Sequence, residues 1–261
     1  MQATSGYFRP GTSWLHRRNP ATKLLGLAWV ILAAFLLPPL TLPALGAGAL
    51  LLGAANGLGG SVVRALRIPA VLVASILVVN ACFYPGAQDI IARLGPIALS
   101  REGIAFGLVT AGRVLVAFIA SILFLQATLP DDLLETLVAR GASHRFAWVI
   151  LSAVQMVPRL QESAATILEA QQARGLEIRG SFGRRVRALV PLIGPVLLGS
   201  LIDARERTFA LEARGFGAGG PRTAYRVVPD PRGDRWLRLA ILLAMAAVIA
   251  WPVVGPALGI R

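Results

Sequence analysis

Leu24-Leu25-Gly26-Leu27-Ala28-Trp29-Val30-Ile31-Leu32-Ala33-Ala34-Phe35-Leu36-Leu37-Pro38-Pro39 opens a run of 40 residues, 24–63, that carries no charge. A helix needs about 20 apolar residues to cross ~30 Å of hydrocarbon, so the run is long enough for two spans. Pro38, Pro39 and Pro43 mark the turn between them. Just upstream, Asn19-Pro20 predicts a side-chain cap followed by a proline at the first helical position. Residues 1–23 are polar and hold Arg9, Arg17, Arg18 and Lys23. A cleaved leader fits poorly, since no clear small-x-small site follows the apolar run.

Composition agrees with a bilayer as solvent. Apolar residues make up 56% of the chain and charged residues 15%, against about 25% charged in a soluble domain. The net charge of +13 then reports orientation in the membrane, because basic residues gather in cytoplasmic loops. Nucleic-acid binding is not expected: no fingers, aromatic stacking motif or basic tail accompanies the charge. Cys82 is the sole cysteine, so no internal disulfide forms. His16 and His144 have no partner at ligand spacing, and neither a metal site nor a cofactor is expected.

Three further spans follow. Residues 68–88 are 21 uncharged residues, 103–130 carry only Arg113, and 239–260 are 22 uncharged residues. A cation at the depth of Arg113 is costly in lipid, so it either serves function, or faces a protein partner or snorkels. The loop between 88 and 103 holds Asp89, Arg93, Arg101 and Glu102, which sum to zero. Residues 128–235 differ in kind, with 15 of the 26 basic and 11 of the 13 acidic residues. Their uncharged runs, 146–158 and 188–202, are 13 and 15 residues long, below the ~17 that a crossing requires. They read as amphipathic helices. The first sets Phe146, Ile150, Ala153, Val157, Leu160, Ala164 and Ile167 on one face and Gln155, Arg159, Glu162, Thr166 and Glu169 on another. The second is apolar through Leu201 and then charged, with Asp203 and Arg207 one turn apart as an expected pair and with Pro191 and Pro195 expected to bend it. The fold class is therefore an all-α integral membrane protein of about five transmembrane helices plus long amphipathic helices. Its expected parts are 1–127, with four spans, 128–235, and 236–261, with the last span. Placing the N-terminus, the Arg64/Arg67 loop and 128–235 in the cytoplasm satisfies the positive-inside rule.

Both amphipathic helices stop on the same triplet, Ala173-Arg174-Gly175 and Ala213-Arg214-Gly215, 40 residues apart. Arginine in a last turn lies against the negative end of the helix dipole, and glycine at the next position takes the left-handed conformation that closes a helix. Each helix thereby ends in a forked cation. A third triplet, Ala139-Arg140-Gly141, also occurs. Ordinary capping chemistry alone accounts for any one of them.

With these motifs the chain resembles the transmembrane coupling (T) components of energy-coupling factor importers. The resemblance rests on the paired triplets, on Leu15-His16-Arg17-Arg18-Asn19-Pro20-Ala21-Thr22-Lys23-Leu24, and on Thr128-Leu129-Pro130-Asp131-Asp132-Leu133-Leu134. Asn19 stands where that family usually has aspartate. The resemblance implies a non-catalytic subunit of the bacterial or archaeal plasma membrane. It also implies that Arg174 and Arg214, with the Ala and Gly beside each, dock into two ABC-type ATPases, while a small membrane-embedded S component brings a vitamin or metal ion. The third triplet lies outside the family's pair.

Other readings remain open at this level. Glu135 to Gly141 has the spacing of the loop by which ordinary ABC permeases meet their ATPase, although the Ile-x-Leu-Pro that should follow is absent. A lipid-modifying membrane enzyme would draw on Asp131, Asp132 and Glu135, which read more simply as acids in the first turns of a helix. A passive scaffold would make the same contacts as a coupling subunit without transmitting motion.

Overall fold

The computed structural model describes residues 8–85, 89–94, 97–176, 182–216 and 228–257. These form two compact units, one built from 8–141 with 228–257 and the other from the described residues between 142 and 216.

The first unit is a helical bundle. Helix α1, Pro20–Leu36, begins as its sequence predicts: the Asn19 side chain accepts a hydrogen bond from the Ala21 N–H, and Pro20 occupies the first turn. The chain reverses through a 3₁₀ turn, Pro39–Thr41, into α2, Leu42–Ala55. There Gly57 takes a positive φ of 74° and ends the helix. A short α3, Gly59–Ala65, then leads into α4, Arg67–Phe83, at an angle of 46°. Helix α5, Arg101–Ala127, stops three residues short of the expected 130, because Pro130 already starts α6, Pro130–Val138. Helix α9 is Arg232–Ala257.

Two of these helices, α5 and α9, are long and apolar enough to cross a membrane, and the bent pair α3–α4 makes a third crossing if taken as one span. Helix α1 and the stretch Pro39–Ala55 are shorter apolar helices. Each has 17 residues, about 26 Å of rise and the lower limit for a span. The five apolar segments are thus where hydropathy places them, with two at minimal length. Val71, Val78 and Phe83 on α4 and Leu243 and Ile249 on α9 are exposed, as residues facing lipid tails are.

The loop expected between 88 and 103 contains an antiparallel hairpin, β1 Ile90–Leu94 and β2 Ile97–Ser100, with Ile90 paired to Ser100 and Leu94 to Ile97. Ser100 then caps α5 by accepting from the Gly103 N–H. Helices α4 and α5 lie against each other through Gly103 and Gly107. A side chain at Gly107 would come within 3.2 Å of the Asn80 Cβ, and one at Gly103 would run into the Asn80 carbonyl. Small residues four apart let membrane helices approach closely. On the other side of α5, Ile119, Ile122 and Leu123 enclose Leu58 and the fully buried Val62. Arg113 has a buried Nε without a hydrogen-bond partner, and its guanidinium lies 5.9 Å from the Phe35 ring centroid. That ring belongs to α1 of the same bundle.

Helix α6 begins with Asp131 and Asp132 in its first turn and packs on α1. Charge grouped it with 128–235, whereas packing joins it to the bundle. The second unit consists of α7, His144–Ala173, and α8, Phe182–Ala213. Pro158 lies inside α7, and Pro191 and Pro195 lie inside α8. The expected Asp203–Arg207 pair does not form: Asp203 is exposed to water, where such a pair is worth under ~1 kcal/mol.

Candidate functional site: two arginine-tipped helices and the end that anchors the bundle

Helices α7 and α8 finish on the same pair of closing backbone hydrogen bonds. At the end of α7, Gly175 has φ +93°, its N–H donates to the Gln172 carbonyl at 2.9 Å, and the Leu176 N–H donates to the Gln171 carbonyl at 3.0 Å. At the end of α8, Gly215 has φ +73°, its N–H donates to the Glu212 carbonyl at 2.9 Å, and the Phe216 N–H donates to the Leu211 carbonyl at 2.9 Å. This is the paired-bond closure that a left-handed glycine permits. Ala173 and Ala213 are the last helical residues, so Arg174 and Arg214 stand at equivalent positions. Exposure follows one pattern through both tips, with half-buried Gln171 and Leu176 flanking four exposed residues, and Leu211 and Phe216 doing the same.

The third triplet separates from the pair here. Gly141 also has a positive φ, 101°, and donates to the Val138 carbonyl, but no second bond crosses from Ala142 to Leu137. Its closure is the looser one.

Within the second unit, Phe216 fixes where one tip lies. Its ring sits 5.2 Å from Trp148 and 6.2 Å from His144, at the start of α7. Arg174 ends that helix 26 residues beyond Trp148, about 39 Å away along a rise of 1.5 Å per residue. The two tips therefore lie near opposite ends of α7. Between them lies an open apolar face. Val157 on α7 and Val190, Ile193, Leu197 and Leu201 on α8 are exposed, while the polar stripe of α7 from Gln155 to Glu169 is also turned to solvent. A soluble helix pair of this length would bury such residues.

The Leu15-to-Leu24 motif has a separate task. Arg18 Nη1 donates to Asp234 Oδ1 at 2.6 Å, the Asn19 N–H donates to Asp234 Oδ2 at 2.6 Å, and Asp234 is fully buried. The Asn19 amide also donates to the Pro229 carbonyl at 3.2 Å, a bond that an aspartate at this position could not make. Lys23 donates to the Ala127 carbonyl at 2.6 Å, the Arg9 N–H donates to the Gln126 carbonyl, and the Leu15 N–H donates to the Asn56 side chain. His16 bridges Ser13 and the Arg9 carbonyl. One short segment thus ties together the start of α1, the end of α2, the end of α5 and the start of α9. All four ends lie on one side of the bundle, with the alternation that successive crossings require. Beside them, Arg238 hydrogen-bonds the Asp230 carboxylate at 2.9 Å and holds its carboxyl below the usual range. Sequence patterns pointed to the motif and its cap but not to Asp234.

Residues 11–225 match the family described as CbiQ, cobalt transport protein. The chain belongs to that family. An energy-coupling factor transporter transmembrane protein, EcfT, of Heliobacterium modesticaldum is 30% identical over 95% of this chain and 97% of its own length. The EcfT protein of Bacillus selenitireducens is also 30% identical, with 94% and 95% covered. A putative ABC transporter ATP-binding protein of Bifidobacterium longum is 29% identical over 92% of this chain, which corresponds to only 32% of that longer protein. Among the described residues of this CbiQ-family member, no three His, Cys, Asp or Glu side chains gather as a metal site would need.

Proposed function

We propose that the chain is the transmembrane coupling subunit of an energy-coupling factor importer. In this reading it joins two cytoplasmic ABC-type ATPases to a small membrane-embedded S component that binds a vitamin or metal ion. It supplies no catalytic group, and the energy comes from its partners. The observation that carries the reading is the pair of helix ends closed by matching bonds, each offering an exposed arginine. Two separated forks suit two acidic receptors, since a guanidinium pairs with a carboxylate through two parallel hydrogen bonds. The names of the relatives support it. So does the protein of Bifidobacterium longum, in which a stretch like this chain is one part of a longer ATP-binding protein.

The apolar face of α7 and α8 is the surface for the S component. When ATP closes the two ATPases, each helix moves as a packed body with its tip, and the face carries the S component along. Differential binding of the tips to open and closed ATPases supplies the coupling free energy. In this reading the tied side of the bundle faces the cytoplasm of a bacterial or archaeal cell, which its basic residues Arg17, Arg18, Lys23, Arg64 and Arg67 support through the positive-inside rule. Family membership disfavours the permease and the lipid-modifying enzyme. The test is charge reversal, Arg174→Glu with Arg214→Glu. Copurification of the ATPases in mild detergent should be lost while the chain still inserts and folds, and full retention would refute the assignment.

A further inference from the structure

At the tied side of the bundle, α1, α2, α5 and α9 enclose a cavity of about 490 Å³, within the ~300–1,000 Å³ of ligand sites. Its walls are almost wholly apolar, with Val30, Leu45, Leu123 and Ile241 among them, but one end is lined by Arg18, Lys23 and Trp14. Along α1 it runs from Thr22 to Val30, about 12 Å of helix rise. Trp14 and Arg18 also line a second cleft of about 410 Å³ together with Thr12, Arg17 and Pro231. The two spaces share these residues, so the apolar slot has a cationic, hydroxyl-bearing cleft beside its charged end.

Two buried polar atoms belong to residues that line the cavity, packed behind its apolar wall. The Thr22 hydroxyl and the Trp29 indole N–H have no hydrogen-bond partner, although Thr22 is only 3% exposed. Both residues line the cavity, with Gly26 between them on the same face of α1. The charges at the cationic end are Arg17, Arg18 and Lys23 against the carboxylates of Asp234 and Asp132. Asp234 is bound to Arg18, and Arg17 is exposed.

We propose that this site holds one anionic phospholipid, its acyl chain in the slot between the helices and its phosphate at Arg17 and Arg18. The gradient from cations and hydroxyls to pure hydrocarbon along one axis matches that molecule and does not match a soluble phosphate, which would use the cleft alone. The bilayer around the bundle is the source.

Gly26 and Gly48 both line the slot, and a side chain added at either meets nothing within 4 Å. Gly48→Leu therefore fills the space without a collision and improves helix propensity. Native mass spectrometry of the full chain, with phosphatidylglycerol and chain-matched phosphatidylcholine as probes, reads the outcome. Wild type should retain a single phosphatidylglycerol at activation energies that strip phosphatidylcholine. Gly48→Leu should lose it, and Arg17→Glu should weaken retention about tenfold while leaving helix content unchanged. Gly26→Leu fills the same slot from α1 and serves if Gly48→Leu does not fold. Equal retention of the two lipids by wild type, unchanged retention in the filled variant, or displacement by inorganic phosphate would overturn the proposal. So would a stoichiometric polypeptide found in the lipid's place.

Discussion

Gly175 and Gly141 share a left-handed backbone, and both have open space where a Cβ would go. Alanine at either pays only the conformational penalty, about 1–2 kcal/mol, and clashes with nothing. The consequences differ if only the paired tips are docking points. Gly175→Ala should weaken ATPase binding about fivefold or more in a titration against the purified subunit, by loosening the turn that aims Arg174. Gly141→Ala should leave that affinity unchanged, and an equal loss from both would mean the glycines matter only as helix ends. The tips were legible in the sequence because a C-cap is local: alanine, arginine and glycine are adjacent, and each has its own reason to be there. What the residues alone did not separate was the third triplet from the other two. That distinction lies in one hydrogen bond between Leu176 and Gln171, matched by Phe216 and Leu211 and missing after Gly141.

Helices were legible where a single period or an uncharged run governs them, as in the two-faced pattern of α7. The hairpin β1–β2 was not, because its nine residues were read for their charge and not for their alternation. Counting uncharged residues likewise started the last span at 239, whereas α9 begins at Arg232, with Arg235 and Arg238 in its first two turns. Such residues tolerate a helix end at the interface because their heads reach water or a carboxylate, here Asp230. At this scale the α4–α5 seam makes a firm prediction. Gly107→Leu inserts a side chain where the Asn80 Cβ and the Leu77 backbone already stand 3.2 and 3.5 Å from a modest methyl. Overpacking of this kind costs about 1–3 kcal/mol, and thermal unfolding in detergent should shift down accordingly. An unchanged melting temperature would mean that the two helices do not pack as described.

For the molecule as a whole, the contact between Arg18 and Asp234 spans 216 positions of sequence, and no local pattern announces it. It closes the bundle by fastening the first helix to the last. Asp234→Ala leaves Arg18 and the Asn19 N–H without their acceptor, and loss of one partner of a buried pair costs about 3–5 kcal/mol. The variant should be lost from membranes or melt far below wild type. Replacing both partners, Arg18→Met with Asp234→Leu, should recover part of that loss, because no charge is then left stranded. No recovery in the double variant would show that other bonds of the segment matter more.

That fastening also sets an order of events during synthesis. The ribosome delivers Arg18 and Asn19 early, yet their acceptor arrives only after more than two hundred further residues have been polymerised. Until then the opening segment waits with its donors hydrated at the membrane surface, and a nascent chain stalled before Asp234 exposes them to quality control. The fastening of α1 therefore waits on the synthesis of α9.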